Sequence, residues 1–342
     1  MGTDGERVRR RRSPAVIGLT GADTPLGGAF AELARGHPST PTLTRVDDVS
    51  AAALDGVDVV VHLAVDRSAT TPSAQRHARN VDGTEALLDA AAAAGTGRVV
   101  LLTSAMVYGA SATNPVPLDE DAPLLSGAPA GLLGEWLAME RAAAACAAAG
   151  GPEVVSVRPA SVVGVVADSL LPGLFEAVRL LAIRDGRCHW QLCHTDDLLS
   201  ALMAAATGAV TGAVTVGCDG WMAQRQVEAL ADMRSVVLPG AVAFATAERL
   251  HRIGMLSSPS SDLQYLIDPW VVGAQRLRAT GWQPAWTNQA ALAAHLDTLG
   301  ERVGSSFGLL DRKNATRAAA GAGATLAVVG SLALARARNR RR

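Results

Sequence analysis

Lysine is almost missing from this chain: of 31 basic residues only Lys313 is a lysine, and all the others are arginine. Tyrosine is nearly as scarce, with Tyr108 and Tyr265 alone, and aromatic residues make up 4% of the 342 positions. No tyrosine stands four residues before a lysine in any register, since Ala112 and Pro269 occupy those places. The four cysteines (Cys146, Cys188, Cys193, Cys218) show no Cys-x-x-Cys spacing and no dense framework, which suits a reducing cytosol. The apolar run after "RVRRRRSP" is too short for a secretory signal and ends in a glycine-rich turn, so no export is expected.

What is present is a chain 49% hydrophobic, built mostly of alanine, valine and leucine, long enough for one large or two medium domains. Its charge is uneven. Residues 1–12 carry five arginines, and residues 312–342 carry eight basic residues and no acid. The body between them holds 18 basic against 30 acidic residues, a net of −12. An acidic body argues against nucleic-acid binding, which needs a basic face to neutralise phosphates.

Short apolar runs alternate with helical patterns from "AVIGLT" onward. "TLTRVDD", "VDVVVHLAV", "GRVVLLTS" and "EVVSVRPA" read as buried strands, separated by helices over "PLGGAFAELARG", a short "SAAALDG", residues near 80–95, and "GLLGEWLAMERAAAACAAAGG". This is an α/β pattern, a doubly wound parallel sheet of Rossmann type. After residue 165 the alternation loosens, and "AVTVGC" reads as one more strand returning to the sheet. The expected organisation is a basic leader over 1–13, a dinucleotide-binding domain over 14–165 with 196–220 returning to it, a second, smaller α/β lobe from 166–195 and 221–300, and a tail over 301–342. Within that tail, residues 318–335 are uncharged and as a helix would span roughly 27 Å, close to the ~30 Å of a bilayer core. The expected location is cytoplasmic, with attachment to the inner face of the membrane through 318–335 as the alternative to an apolar helix lying on a partner. Crossing from the cytosol would carry five arginines through the bilayer.

The "TGADTPLGG" turn joins the first strand to the first helix, where backbone N–H groups and the helix dipole can hold a pyrophosphate. Gly21 would make the turn, Thr24 would cap the helix with Pro25 at its first position, and Gly27 would let the helix approach the sheet.

Taken in order, "TGADTPLG", "VVVHLAV", "NVDGTEALLDAA", "VVLLTSAMVYG", "SVRPASVVG", "CHTDDLLSAL" and "DPWVVGAQRLRATGWQPAWT" resemble the extended short-chain dehydrogenase/reductase family, in particular its nucleotide-sugar epimerases and dehydratases. The resemblance runs from about residue 14 to 300. It implies NAD or NADP as cofactor, a nucleotide-sugar ligand and a homodimer formed through the helices near 80–95 and 132–149. It assigns Gly21, Ala22, Thr24, Leu26 and Gly27 to the cofactor turn, where Thr24 replaces the middle glycine of the family's TGxxGxxG. Asp47 or Asp48 is assigned to the adenosine ribose or beside adenine, with Arg45 able to favour a 2′-phosphate, so NAD and NADP both stand. The family has two strands between the first helix and the "HLA" piece, and this chain has room for one. His62, Leu63, Ala64 and Asn80 match positions that line or brace the groove.

Family members exchange a proton through a tyrosine whose pKa is lowered by a lysine four residues on, beside a serine or threonine at the preceding strand end. Ser104 fits the last role. Aligned on Glu140, the helix places Leu132 and Trp136 where tyrosine and lysine are expected, on one face at i and i+4, able to cap the nicotinamide site or fill it. Glu135 lies about 100° around the helix and is expected to point elsewhere. The expectation is a nucleotide-binding pseudoenzyme. The alternatives are an active epimerase, dehydratase or reductase with an atypical proton relay, and a scaffold with an empty groove. No metal site is expected: strand alternation through "RCHWQLCHTDD" puts Cys188 and Cys193 on opposite faces. His194 and Asp197 read as structural, Arg158 as a brace of the sheet end, and Arg276 as either a phosphate ligand or a surface ion pair.

Overall fold

The computed structural model describes residues 15–39, 41–167, 171–177 and 179–307, with backbone alone for 301–307. The basic leader over 1–13 and the apolar stretch 318–335 lie outside the described residues, and so does the charge pattern argued from them. Among the described residues no helix is long and apolar enough to cross a membrane.

The chain runs β1 (Val16–Thr20), α1 (Pro25–Gly36), β2 (Thr42–Arg45), β3 (Val59–His62), α2 (Ser73–His77), α3 (Gly83–Ala94), β4 (Arg98–Leu102), α4 (Gly131–Ala148), β5 (Glu153–Pro159) and β6 (Ser161–Val163). It continues with β7 (Leu180–Ile183), β8 (His189–Trp190), β9 (Leu192–His194), α5 (Thr195–Ala206), β10 (Ala213–Val216), β11 (Met222–Ala223), α6 (Gln224–Leu230), β12 (Ser235–Leu238), α7 (Gly240–Arg252), α8 (Gln275–Arg278) and α9 (Asn288–Phe307). Six strands form one parallel sheet in the order β10-β5-β4-β3-β1-β2. The smaller pairs β7–β12, β8–β11 and β6–β9 lie apart from it.

Burial explains why β3 and β4 read as unbroken apolar runs. Val60 and Val99 pack with Leu87, Leu88 and Ala91 of α3, whereas Val59, Val61 and Val100 belong to the cluster holding Phe30 of α1 and Leu198 of α5. Alternate residues thus serve opposite faces, and both faces are covered by helices. Only β2 lies between α1 and β3, so the sheet ends at β2, one strand sooner than the resemblance implies. The order reverses direction between β1 and β3, which opens a crevice at their carboxyl ends.

Two local expectations are corrected. The helix expected over "SAAALDG" is a set of turns at 51–56, closed by Val57 N–H donating to Leu54 O at 3.0 Å after Gly56 at φ +72°. A helix of one turn gains too few hydrogen bonds to offset nucleation, and β3 starts two residues after Val57. The single strand read through "RCHWQLCH" is two: β8 pairs antiparallel with β11, and β9 pairs parallel with β6. Gln191 separates them, its amide donating to Cys218 O and Val272 O and accepting from Val272 N, each at 2.9 Å.

Candidate functional site: a crevice at the carboxyl ends of the sheet

The turn after β1 is built by sterics. Gly21 sits at φ +67°, and a Cβ there would lie 2.6 Å from the Leu63–Ala64 backbone. A Cβ on Gly27 would lie 2.0 Å from Gly21 O, so the approach of α1 to β1 demands glycine. Thr24 caps α1: its hydroxyl donates to Gly21 O at 2.7 Å and accepts from Gly27 N at 3.0 Å. Thr24 N also donates to Gly21 O, at 3.0 Å. With no N–H on Pro25 and the amides of Thr24 and Gly27 already engaged, the turn offers fewer donors to a phosphate than a glycine-rich loop would. Ala22 is half-buried and Leu26 is buried in the core.

At the β2 end the crevice is open and acidic. Asp23, Asp47 and Asp48 are exposed. Arg45 donates from Nε to both Asp47 oxygens, at 2.5 and 2.7 Å, and this hydrogen bond and charge, with a smaller contribution from Asp23, raise its pKa.

The centre of the crevice is braced. His62 Nδ1 lies 2.8 Å from Thr20 Oγ1, and its Nε2 lies 3.4 Å from Thr84 Oγ1. Burial lowers the His62 pKa to about 4, which keeps the ring neutral at neutral pH. Leu63 is buried, and Ala64 N donates to Thr20 Oγ1 at 3.3 Å. Asn80, on a π-helical turn over Ala78–Asp82 between α2 and α3, is fully buried. Its amide donates to Asp66 O at 2.9 Å and Glu135 Oε2 at 2.8 Å, and its oxygen accepts from Asp66 N at 2.7 Å. Asn80 therefore fastens the loop after β3 to α4, a longer reach than a local turn residue has.

At the β4 end the crevice is filled. Ser104 is 1% exposed, and its hydroxyl caps the 3-10 turn Ala105–Tyr108 by accepting from Met106 N at 3.2 Å. Trp136 of α4 is 2% exposed, and its Nε1 has no hydrogen-bond partner among the described residues. The Arg67 guanidinium lies 5.2 Å from the centroid of that indole and donates to Thr103 O at 2.6 Å, so it spans from the loop after β3 to the residue before Ser104. Leu132 is partly buried against the same core. Glu135 does turn to other partners, but it is buried: Arg76 Nε donates to both of its oxygens at 3.0 Å. Asp262, which Arg76 influences electrostatically, is 7% exposed, and burial raises its pKa to about 7. Tyr265, in the same 3-10 turn Ser260–Leu266, donates to Met106 O at 2.6 Å.

The remaining polar candidates have partners within the protein. Glu140 accepts from Arg158 (2.8 and 2.7 Å) and from Thr103 Oγ1 (2.7 Å), and Arg158 also donates to the Tyr108 hydroxyl at 2.8 Å. His194 caps α5 and stacks on Trp286 at 3.7 Å, while Asp197 accepts from Ala285 N at 2.7 Å. Arg276 pairs with Asp121 at 2.6 Å and donates to Ala213 O at 2.8 Å, the ion-pair reading of that residue. No group of three metal-ligating side chains comes together among the described residues. Sequence reasoning missed Arg67, Arg76 and Asp262; the one signal available was the presence of arginines in the otherwise small, polar stretch "DRSATTPSAQR".

A parallel sheet with a glycine-built turn at its switch point defines a domain of the dinucleotide-binding class. The chain belongs to the NAD dependent epimerase/dehydratase family, whose profile matches residues 22–217. An uncharacterized protein of Sinorhizobium fredii, y4nG, is 29% identical over 187 residues, which cover 51% of this chain and 44% of that protein. This chain thus spans less than half the length of that relative. Among solved structures, MoeE5 in complex with UDP-glucuronic acid and NAD superposes with a TM-score of 0.60 at 19% identity, covering 84% of this chain and 100% of that one. A double mutant of DesIV, a dTDP-glucose 4,6-dehydratase from Streptomyces venezuelae, gives 0.62 at 19% identity, covering 84% and 98%. Both share the fold.

Proposed function

We propose that this protein is a nucleotide-binding pseudoenzyme of its family, keeping the crevice for NAD or NADP and a nucleotide sugar but lacking the proton relay that hydride transfer between them needs. The observation that carries the reading is Trp136, buried beneath an Arg67 that also donates to Thr103 O, in a chain with no tyrosine four residues before a lysine. Neither an indole nor a leucine can exchange a proton with a sugar hydroxyl near neutral pH. Family membership and the fold shared with NAD and nucleotide-sugar complexes support binding. Asp47 holding Arg45 leaves that arginine engaged, which favours a free 2′-hydroxyl over a 2′-phosphate. A homodimer through α3 and α4 belongs to the same reading. Their outer faces border a hollow of about 730 Å³ lined by small residues such as Ala92, Ala142 and Ala145.

The test is purified full-length protein with NAD+ or NADP+, their reduced forms, and a panel of UDP- and dTDP-sugars. Nucleotide binding is expected in calorimetry, with no change in nicotinamide absorbance and no new sugar in chromatography. A second reading, an active enzyme with another relay, is favoured by one observation: Arg67 sets a cation beside Thr103, adjacent to Ser104. Turnover that Arg67→Ser abolishes would support it and end the pseudoenzyme reading.

A further inference from the structure

The two halves of a dinucleotide diverge from the pyrophosphate, one toward each side of the switch point. In this crevice the pyrophosphate position is set by the turn after β1, because that is where the helix N-terminus points. The side toward β2 is open: Asp23, Asp47 and Asp48 are exposed, and Gly21, Ala22 and Thr24 are half-buried. The side toward β4 is closed. Thr103 is fully buried, Ser104 and Trp136 are 1% and 2% exposed, and Arg67 crosses between the β3 and β4 ends to reach Thr103 O and cover the indole.

Seating a nicotinamide riboside there would require Trp136 to leave a packed core position and Arg67 to give up both its carbonyl and its aromatic contact. Nor can the indole swing outward freely, since it projects from the middle of the first half of α4, flanked by buried Glu135 and Leu137. Glu135 is in turn fixed by Arg76 and Asn80. A gap is what a second nucleoside needs, and packed side chains fill this one.

We infer that the crevice takes an adenosine 5′-diphosphate moiety at its β1–β2 side and excludes the nicotinamide half of a dinucleotide. The inference rests on the nucleotide-binding part of the reading above and narrows it. ADP, ADP-ribose and the ADP half of NAD+ share the recognised chemistry, and whatever extends from the terminal phosphate lies outside the protein.

The experiment titrates the full-length protein with ADP, ADP-ribose, NAD+ and UDP by calorimetry and records saturation-transfer NMR on the NAD+ complex. ADP-ribose and NAD+ are expected to match within about threefold in Kd, with UDP weaker. Saturation is expected on the adenine protons and not on those of nicotinamide. In Trp136→Ala, NAD+ should gain about tenfold over ADP-ribose as the hole opens. The wild-type comparison decides the matter should that variant fail to fold. NAD+ binding about tenfold or more tightly than ADP-ribose, or nicotinamide protons saturated as strongly as adenine, overturns the inference and leaves nucleotide binding intact. UDP binding more tightly than ADP overturns it as well. Failure of every nucleotide to bind overturns both readings together.

Discussion

The β1–β2 end of the crevice and its β4–α4 end differ in what they are made of. The first is made by backbone: Gly21 and Gly27 admit close approaches that any side chain would block, and Thr24 completes the turn with its hydroxyl. The second is made by side chains: Arg67 lies over Trp136 and reaches Thr103 O, and Ser104, the next residue, is buried. A backbone-made site is tied to the fold, because Gly27 is needed for α1 to reach β1 whether or not a nucleotide is present. A side-chain-made site can change while the helix that carries it keeps its place. Leu133, Leu137, Met139 and Ala143 still bury the inner face of α4. The glycine pattern alone is therefore weak testimony about ligands, and the β4 end tells more about chemistry.

The contrast between the two ends can be tested at four points. The largest effect is expected at the filled end, where Arg76→Met leaves the buried Glu135 without its cationic partner, with only Asn80 still donating to it. That should cost about 3–5 kcal/mol in urea unfolding, and Arg76→Met combined with Glu135→Leu should recover much of it. A cost under about 1 kcal/mol would show that the pair does not organise this end.

Asp262 comes next. An acid whose pKa rises from 3.8 to about 7 on folding holds its proton more tightly in the native state, so stability falls as pH rises through that window and levels off above it. Every tenfold change in proton affinity between the folded and unfolded chain corresponds to about 1.4 kcal/mol. His62, lowered from 6.5 to about 4, acts oppositely: its contribution is full above 6.5 and is lost as pH falls toward 4. The two should largely offset each other between about pH 4 and 6.5. Asp262→Asn should unmask a thermal stability that climbs with pH over that range. A profile unchanged by the substitution would remove Asp262 from the account.

At the open end, Gly27→Ala puts a methyl group against Gly21 O and should cost about 1–3 kcal/mol with loss of ADP binding. A variant as stable as wild type would mean that the turn is looser than its geometry shows. The smallest effect is expected of Thr24→Gly. Replacing a threonine cap by glycine costs only a few tenths of a kcal/mol, while the freed Gly27 amide should tighten ADP binding by less than about tenfold, measurable by calorimetry.

Much of the fold is legible because periodicity reports it: β3 and β4 are apolar without interruption since both faces are covered, and Thr24-Pro25 marks the start of α1. The alanine-rich stretch ending at Gly56 misleads because composition favours helix there, whereas chain geometry must deliver Val57 to the sheet within a turn. "RCHWQLCH" alternates like one strand, but buried Gln191 takes the place of a ladder and splits it. At the site, the absence of a tyrosine–lysine pair can be read with no structure at all. What replaced it cannot, because Arg67 meets Trp136 and Arg76 meets Glu135 only after α2 and α4 have docked, and the latter pair is 59 positions apart. Nothing in a local window announces a contact of that range.

The π-helical turn over Ala78–Asp82 has a mechanical consequence. One surplus residue is stored there, and it sets the angular phase between everything upstream, including Arg76, and everything downstream, including Thr84. Were the same five residues to revert to ordinary pitch, the surplus residue would rotate the upstream segment by about 100°. The segment would stay helical, yet its guanidinium would sweep away from the carboxylate it was aimed at.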